Sequence, residues 1–347
     1  MKAVVDDKIP YIARAIESVA DEVVYLPGKD FTPEVVADAD VLVVRTRTRC
    51  DAALLAGSRV RFVATATIGY DHIDTAWCAS AGISWANCPG CNAASVAQYV
   101  QSSLILLSRR HGRDLRGMTL GIVGAGNVGR RVADMARSMG LTVLLNDPPR
   151  AEAEGGAGFV TLDEVARRAD IISLHTPLTR GGGHPTYHLA DGALFASLAR
   201  RPWLLNTSRG EVVDTEAVKQ ALDSGAIADA VIDVWEHEPA IDLQLMDKAF
   251  IATPHIAGYS ADGKANASRM TMDNICRHFG IGNSCRIEPP APPQPVIEAA
   301  TMDDALLAIY DPRRDSDALR RDPSRFEWLR GNYPLRREAG AFEIRIV

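Results

Sequence analysis

The chain has 347 residues, of which 47% are hydrophobic and 24% charged. These are ordinary globular proportions, which exclude disorder as the main state, and the length predicts two or three domains. The formal net charge of -6 argues against a nucleic-acid-binding protein that acts through a basic face.

No stretch reaches the roughly 18 consecutive apolar residues that span a bilayer, and acidic residues follow Met1 too early for a signal peptide. Six cysteines in a chain of this length do not form a disulfide framework. We therefore expect a cytoplasmic protein with neither a membrane nor a nucleic-acid partner.

The first third of the chain alternates short apolar runs with helical patterns. The runs predict strands at Lys2–Val5, Val23–Leu26, Val41–Val44 and Arg61–Thr65, and helices lie between them at Tyr11–Ala20 and Pro33–Ala37. Alternation of this kind predicts an α/β fold with a parallel sheet covered on both faces.

A second series begins near residue 116, after a long helical pattern at Ala93–Arg110. Its predicted strands are Leu120–Val123, Thr142–Leu145, Ile171–His175, Trp203–Asn206 and Ala230–Val234. The sequence therefore predicts two doubly wound parallel-sheet lobes.

The character of the chain changes after residue 283. Residues 288–295 form a proline-rich linker, and an arginine-rich module follows that ends in a predicted strand at Ala341–Val347. The module is too short to bury much by itself, so we expect it to pack on another subunit or lobe.

A glycine motif opens the second series. Gly124, Gly126 and Gly129 stand between a predicted strand and a helix predicted at Asn127–Met139. In a dinucleotide site the first glycine permits the tight turn, the second admits the pyrophosphate, and the third lets helix and sheet pack. Three glycines alone could serve only a turn.

An acid follows the next strand. Asp147 lies about 20 residues beyond the glycines, where a ribose-binding carboxylate is expected in such a site. This context favours a cofactor site over a simple turn, and Asp147 favours NAD over NADP because a carboxylate repels a 2′-phosphate. Arg150 nearby is the one feature that points the other way.

Three further segments follow predicted strand ends and supply Arg209, Glu238 and His255. Oxidation of a 2-hydroxy acid needs these types: an imidazole to take the hydroxyl proton, a carboxylate to orient it, and a guanidinium to bind the substrate carboxylate. Each residue alone has an ordinary structural explanation. Their joint occurrence after the glycine motif favours a dehydrogenase site.

The chain resembles the D-isomer-specific 2-hydroxyacid dehydrogenases over roughly residues 1–283. The segments that carry the resemblance are Val43–Thr46, Thr65–His72, Pro89–Ala93, His175–Leu178 and Thr253–Tyr259. It implies a flavodoxin-like substrate-binding lobe (residues 1–95 with 258–283) and an NAD-binding Rossmann lobe (96–257). The segments Tyr310–Asp315 and Asn332–Glu338 further resemble a C-terminal α+β dimerisation domain (284–347), found in one branch that acts on a phosphorylated substrate.

The resemblance also implies roles for single residues. It makes Arg209, Glu238 and His255 the catalytic set, with His255 as the acid–base group, and it implies a homodimer. The implied NAD contacts, with the glycines above, are Asn127, Val128, Asp147, Thr176, Thr207, Ser208, Asp233 and Gly258, and the implied substrate contacts are Thr46, Thr67 and Tyr259. Thr46 stands where serine is usual, and Thr207-Ser208 replaces the more common Ala-Cys; neither change removes a group that the chemistry needs.

Two other patterns have both a structural and a functional interpretation. Arg45, Arg47 and Arg49 alternate at a predicted strand end, which places them on one side of the strand. They are either a solvated edge or an anion site for the substrate's phosphate, and we favour Arg45 for that contact. Cys88 and Cys91 have CxxC spacing, but without a second pair they make an incomplete metal site, so no metal is expected.

The sequence leaves three functions open. The leading one is an NAD-dependent dehydrogenase of a phosphorylated D-2-hydroxy acid. The alternatives are a dehydrogenase of another D-2-hydroxy acid, such as glycerate or 3-phosphoglycerate, and a non-catalytic NAD-sensing binding protein. The C-terminal module disfavours the first alternative, and retention of the whole Arg, Glu and His set disfavours the second.

Overall fold

The computed structural model describes residues 1–282 and 285–347. The domain boundary predicted between residues 283 and 284 lies outside the described residues. By internal contacts the chain forms two compact units. The first unit comprises Met1–Asn92 with Ser260–Ala291, and the second comprises Ala93–Tyr259 with Pro292–Val347.

The first unit contains a five-stranded parallel sheet of order β2-β1-β3-β4-β5. Its strands are β1 (Lys2–Asp6), β2 (Glu22–Leu26), β3 (Val41–Val44), β4 (Phe62–Thr65) and β5 (Ser84–Ala86). This is the flavodoxin-like order that the resemblance implies. The short strand β5 was not predicted, because three residues carry too little periodicity to be recognised.

Four helices connect these strands: α1 (Ala13–Glu17), α2 (Pro33–Val36), α3 (Ala52–Leu55) and α4 (Thr75–Ser80). Side chains of Thr32, Asp51 and Asp74 cap the last three. Helix α1 is shorter than the predicted Tyr11–Ala20, because Tyr11 has a φ of +63° and cannot continue a right-handed helix.

The second unit begins with α5 (Ala93–His111) and contains a six-stranded parallel sheet. The strand order is β11-β10-β9-β8-β6-β7, so the order reverses at β6. The strands are β6 (Thr119–Val123), β7 (Thr142–Asn146), β8 (Ile171–Leu174), β9 (Trp203–Asn206), β10 (Asp229–Ile232) and β11 (Ile251–Ala252). In open α/β sheets the crevice at such a reversal is where ligands bind.

The helices around this sheet are α6 (Asn127–Ser138), α7 (Pro148–Glu154), α8 (Leu162–Arg168), α9 (Gly192–Ala196), α10 (Thr215–Ser224) and α11 (Leu243–Lys248). Helix α5 is buried along most of its length, and its Tyr99, Leu104 and Leu107 pack in one core with Trp203. Helix α12 (Ala261–Phe279) belongs to the first unit, where Met272 and Ile275 pack in the core that contains Val5.

The C-terminal segment, residues 292–347, lies within the second unit. Residues 288–295 carry no helix or strand, as the proline-rich composition predicts. The elements that follow are β12 (Val296–Ala299), α13 (Met302–Ile309), α14 (Arg313–Arg321), α15 (Phe326–Gly331) and β13 (Glu343–Ile346). Short 3-10 helices occur at Gly28–Asp30, Gly210–Val212, Pro323–Arg325 and Ala339–Ala341.

This segment packs on a lobe of its own chain, which is one of the two placements expected from the sequence. Its last strand, β13, pairs in parallel with β12 on one edge. Five of its apolar side chains are buried in the core of the second unit: Leu306, Leu307 and Tyr310 in the cluster with Tyr99, and Leu319 and Phe326 in the other cluster. A segment too short for its own core completes this core instead.

Candidate active site

The glycine turn follows β6 directly and needs its glycines for steric reasons. Gly124 has a φ of +92°, and a Cβ there would lie 2.6 Å from the carbonyl oxygen of His175. A Cβ on Gly129 would lie 2.0 Å from the carbonyl oxygen of Gly124. By contrast, nothing lies within 4 Å of a Cβ built on Gly126, which precedes the first residue of α6. The backbone is therefore open at the position where a pyrophosphate must approach, and the amides of Asn127 and Val128 begin the helix there.

Asp147 follows β7 and reaches the glycine turn. Its Oδ2 accepts the N–H of Ala125 at 2.8 Å, and its Oδ1 accepts the N–H of Arg150 at 3.2 Å, which caps α7. The Arg150 guanidinium binds the carbonyl of Ala125 and the carboxylate of Glu154. The positive charge that could have favoured a 2′-phosphate is thus paired with Glu154. That Asp147 sets the preference for NAD stays a prediction.

Two threonines follow the neighbouring strands β8 and β9. The Thr176 hydroxyl oxygen is buried and makes no hydrogen bond among the described residues, so it fits a contact to a bound cofactor. The Thr207 hydroxyl lies 3.3 Å from Nδ1 of His175, whose Nε2 lies 2.9 Å from the hydroxyl of Ser173. Burial lowers the pKa of His175 to about 3, so this ring is neutral and serves as a hydrogen-bonding spacer. These groups fit NAD, which accepts hydride when bound.

Arg209 lies in the turn that follows β9. Its Nη1 donates to the carbonyl of Ser208 at 2.7 Å, and its own carbonyl accepts from Nδ2 of Asn206 at 2.9 Å. The Asn206 Oδ1 also accepts from the backbone N–H and the hydroxyl of Ser208. A Cβ on Gly210 would lie 1.9 Å from the carbonyl carbon of Trp235, so only glycine lets this turn meet the segment that carries Glu238. Arg209 is exposed to solvent, and its contact with the substrate carboxylate stays a prediction.

Glu238 and His255 are in direct contact, with Nδ1 of His255 2.8 Å from Oε2 of Glu238. The other carboxylate oxygen accepts the N–H of Trp235 at 3.0 Å. Burial raises the pKa of Glu238, but the bond to His255, the Trp235 N–H and the charge of Arg330 together hold it below its ordinary value. Glu238 is therefore a carboxylate at neutral pH, and it holds Nδ1 of the His255 ring.

Asp233 lies under the His255 turn and is buried. Its carboxylate accepts the Thr253 hydroxyl at 2.6 Å and the N–H groups of Ile256 and Ala257 at 2.8 and 2.9 Å. Burial raises the pKa of Asp233, and the charge of His255 and these hydrogen bonds partly offset that effect. Gly258 and Tyr259 follow the same turn, and the Tyr259 N–H donates to the carbonyl of Ile256 at 2.8 Å.

The other candidate substrate residues belong to the first unit. Strand β3 ends at Val44, and the Thr48 N–H bonds the carbonyl of Arg45, so residues 45–48 form a turn. The expectation that Arg45, Arg47 and Arg49 alternate along a strand is therefore wrong. Arg45 binds the buried Asp6 carboxylate through Nε and Nη2, at 3.1 and 3.0 Å, while the Thr46 side chain is exposed.

Thr67 lies just after β4. Its hydroxyl donates to the carbonyl of Gly69 at 2.8 Å and lies 2.6 Å from the hydroxyl of Thr65, which is also 3.0 Å from Nε2 of His72. These hydrogen bonds give the segment Thr65–His72 a structural role, because its two threonines and its histidine order the loop after β4. The contact of Thr67 with substrate stays a prediction.

The two CxxC cysteines are buried in the first unit. The Cys88 thiol lies 3.3 Å from the Thr271 hydroxyl and 3.2 Å from the carbonyl of Ala267. Burial raises the pKa of Cys91 to about 12, so its thiol is protonated and unreactive. Over residues 1–282 and 285–347 there is no group of three His, Cys, Asp or Glu side chains that could hold a metal ion. The same residues include no helix long and apolar enough to cross a membrane.

Two arginines of the C-terminal segment were not singled out from the sequence. Arg330 contributes to the low pKa of Glu238, and the neighbouring Tyr259 and Glu238 raise the pKa of Arg330 although burial lowers it. Arg336 is buried and bonds backbone carbonyls beside His255. Nothing local distinguishes them from the other arginines of that segment, because their partners lie far away in the sequence.

Comparison with known proteins agrees with this geometry. Residues 92–257 match the NAD-binding domain of the D-isomer specific 2-hydroxyacid dehydrogenases. Residues 293–346 match a family described only as a domain of unknown function. The NAD-bound 3-phosphoglycerate dehydrogenase of Entamoeba histolytica has a TM-score of 0.66 at 27% identity, covering 83% of this chain and 99% of that one.

The curated relatives are more specific. The erythronate-4-phosphate dehydrogenase of Bacteroides fragilis is 61% identical over the full length of both chains. That of Bacteroides thetaiotaomicron is 56% identical over 99% of each chain. The chain therefore belongs to the D-isomer specific 2-hydroxyacid dehydrogenases and, among them, to the erythronate-4-phosphate dehydrogenase family. It is an NAD-dependent oxidoreductase.

Proposed function

We propose that this protein oxidises 4-phospho-D-erythronate at C2 to (R)-3-hydroxy-2-oxo-4-phosphooxybutanoate with NAD, as a step in the biosynthesis of pyridoxal 5′-phosphate. The observation that carries the proposal is the 2.8 Å contact between His255 and Glu238. A carboxylate that stays ionised beside an imidazole is the arrangement that acid–base catalysis by His255 needs. The names of the relatives at 61% and 56% identity support the choice of substrate.

The proposed chemistry is a balanced two-electron oxidation. The C2 hydrogen leaves with its electron pair to the nicotinamide ring, and the hydroxyl proton passes to His255, so C2 becomes a carbonyl. Because Nδ1 of His255 is held by Glu238, we assign the proton transfer to Nε2. Arg209 binds the substrate carboxylate and stabilises the developing carbonyl oxygen.

The proposal assigns the phosphate to Arg45. Its guanidinium is fixed by two bonds to Asp6, so its direction is set before a ligand arrives. Thr46, Thr67 and Tyr259 are proposed as further substrate contacts. The matched test is Arg45→Met, which should raise KM for the phosphorylated acid several-fold and leave that for unphosphorylated D-erythronate unchanged.

We further propose a cytoplasmic homodimer that associates through the C-terminal segment. Large apolar side chains of this segment are exposed in the single chain, namely Met302, Trp328, Leu335, Ile346 and Val347. An apolar surface of this kind is typical of a subunit interface. The cysteines are free thiols, five of them buried, which suits a reducing compartment.

The experiment that tests the substrate is a comparison of kcat/KM values. Purified protein is assayed with NAD against 4-phospho-D-erythronate, D-erythronate, D-glycerate and 3-phospho-D-glycerate. We expect the first to be preferred by at least 100-fold. Equal or better use of 3-phospho-D-glycerate would transfer the proposal to the alternative dehydrogenase, and NAD binding without turnover of any of the four would favour a sensing protein.

A further inference from the structure

The backbone of His255 has a conformation that its residue type rarely adopts. Its φ is +56°, in the left-handed region that favours glycine. Such a residue keeps its conformation only where the surrounding structure imposes it. The groups that impose it here bind the two residues that follow, Ile256 and Ala257.

Asp233 holds the N–H side of these residues. Its buried carboxylate accepts the N–H groups of both Ile256 and Ala257, and its backbone carbonyl accepts the N–H of His255 at 2.7 Å. The Asp233 carboxylate thus binds the N–H groups of Ile256 and Ala257 but not their carbonyl groups.

Arg336 of the C-terminal segment holds the carbonyl side. Its Nη2 donates to the carbonyl of Ala257 at 2.6 Å and to that of Ser95 on α5 at 3.0 Å, and Nη1 lies 3.4 Å from the carbonyl of Ile256. The side chain is only 5% exposed. A buried guanidinium that binds backbone carbonyls rather than a carboxylate is unusual. Burial of the positive charge costs free energy, and neutral carbonyl groups offset only part of that cost.

A second set of side chains keeps Arg336 in place. Its guanidinium carbon lies 4.2 Å from the centre of the Tyr310 ring. The hydroxyls of Tyr310 and Tyr333 donate to the Asp315 carboxylate at 2.9 and 2.8 Å, and Asp315 supplies the nearby negative charge. All these residues belong to the C-terminal segment. The segment thus presents one pre-oriented cation to the turn that carries His255.

We propose that Arg336 is a positioning residue for His255, and that the C-terminal segment orients the acid–base group of its own chain. This role is additional to dimerisation, and it rests on the function proposed above for His255. The proposal assigns a function to residues 293–346, which match a family described only as a domain of unknown function.

The test compares Arg336→Met and Arg336→Lys with a matched control, Arg320→Met, in the full-length protein. Arg320 is also an arginine of this segment that donates to a backbone carbonyl, that of Ala249, away from the His255 turn. We expect Arg336→Met to lower kcat for 4-phospho-D-erythronate at least 10-fold, with the Kd of NAD unchanged. The lysine variant should recover part of the loss, and Arg320→Met should keep the wild-type kcat.

Hydrogen–deuterium exchange of the peptide that contains residues 253–259 provides a readout that needs no turnover. We expect faster exchange of its amides in Arg336→Met and Arg336→Lys than in the wild type or Arg320→Met. If the wild type fails to oxidise the substrate, the proposed function fails, and this exchange result still decides whether Arg336 orders the turn. A folded Arg336 variant with the kcat or the amide exchange rate of the wild type would overturn the proposal. If Arg336→Met does not fold, the same two measurements on Arg336→Lys test the proposal.

Discussion

Asp233 and Arg336 bind the same two residues, Ile256 and Ala257, one through their N–H groups and the other through their carbonyls. The turn between them carries His255, whose ring is held by Glu238. The candidate acid–base group is therefore fixed at three points: at its ring, and on both sides of the backbone that follows it. Preorganisation of this kind is what a proton transfer concerted with hydride departure requires.

Replacement of His255 by Gln should abolish turnover without preventing cofactor binding. The general base contributes a factor of about 10² to 10⁴, and glutamine cannot accept the hydroxyl proton. We expect kcat to fall by that factor and the Kd of NAD, measured by fluorescence titration, to change less than two-fold. Near-normal turnover in the folded variant would remove His255 from the mechanism.

Replacement of Glu238 by Gln should lower kcat and move the pH profile. The pKa of Glu238 lies below its ordinary value, so the residue is an anion across the neutral range and stabilises the imidazolium form of its partner. Oxidation needs the neutral imidazole, so removing the anion should move the acid limb of the kcat profile to lower pH.

The matched control for that variant is Glu236→Gln. Glu236 lies in the same segment, but its carboxylate bonds a different histidine, His188, at 2.8 Å. The acid limb should keep its position in this control. A limb that moves equally in both variants would show that Glu238 has no specific link to the acid–base group.

Replacement of Asp147 by Asn should relax the preference for NAD over NADP. The asparagine keeps one acceptor oxygen, which can serve either the α7 cap or the Ala125 N–H but not both, and it removes the charge that repels a 2′-phosphate. We expect the ratio of the two Kd values to fall at least 10-fold. Asp191→Asn, which alters a helix cap of the same unit, serves as the control and should leave the ratio unchanged. An unaltered ratio in Asp147→Asn would place the discrimination elsewhere.

Substitution of two aromatic residues of α15 should have different effects, one on the stability of the fold and the other on the association of subunits. Phe326 is fully buried in the core of the second unit, whereas Trp328 is 53% exposed. Phe326→Ala should lower the free energy of unfolding by about 3–5 kcal/mol, measured by urea denaturation. Trp328→Ala should change it by less than about 1 kcal/mol and weaken the dimer, measured by light scattering. A dimer of wild-type affinity in Trp328→Ala would place the interface on another surface.

The same packing changes what truncation at residue 288 should do. From the sequence, the cofactor lobe is expected to survive the deletion, because its glycines and Asp147 precede the linker. In the structure, however, loss of Leu306, Tyr310 and Phe326 would expose the core of the second unit. We therefore expect the truncated chain to aggregate rather than to bind NAD.

The features that the sequence predicted well are local. The glycine turn, the acid after β7 and the strand ends that carry Arg209 and His255 depend on residues within a few positions of each other. Each needs only a short strand, a turn and a helix start to be recognised. The parallel sheets were predictable for the same reason, because buried strands such as β3 and β9 are continuous apolar runs.

The features that the sequence did not predict depend on distant partners. Arg336 bonds Ser95 and Ala257, which lie 241 and 79 positions away. Arg45 was expected on a strand, but its bonds to Asp6 and the turn after Val44 determine its place. Contacts of this range follow from tertiary packing, which no local pattern of residue types encodes.

The reaction proposed for this protein is the removal of hydride from C2 of 4-phospho-D-erythronate. A single-turnover reaction with the substrate deuterated at C2 and stoichiometric NAD tests it directly, with both products analysed by mass spectrometry. We expect one deuterium in the reduced nicotinamide, a 2-oxo product without deuterium, and a turnover rate several-fold below that of the undeuterated substrate. Deuterium retained in the organic product, or no reduction of NAD by this substrate while 3-phospho-D-glycerate is oxidised, would contradict it.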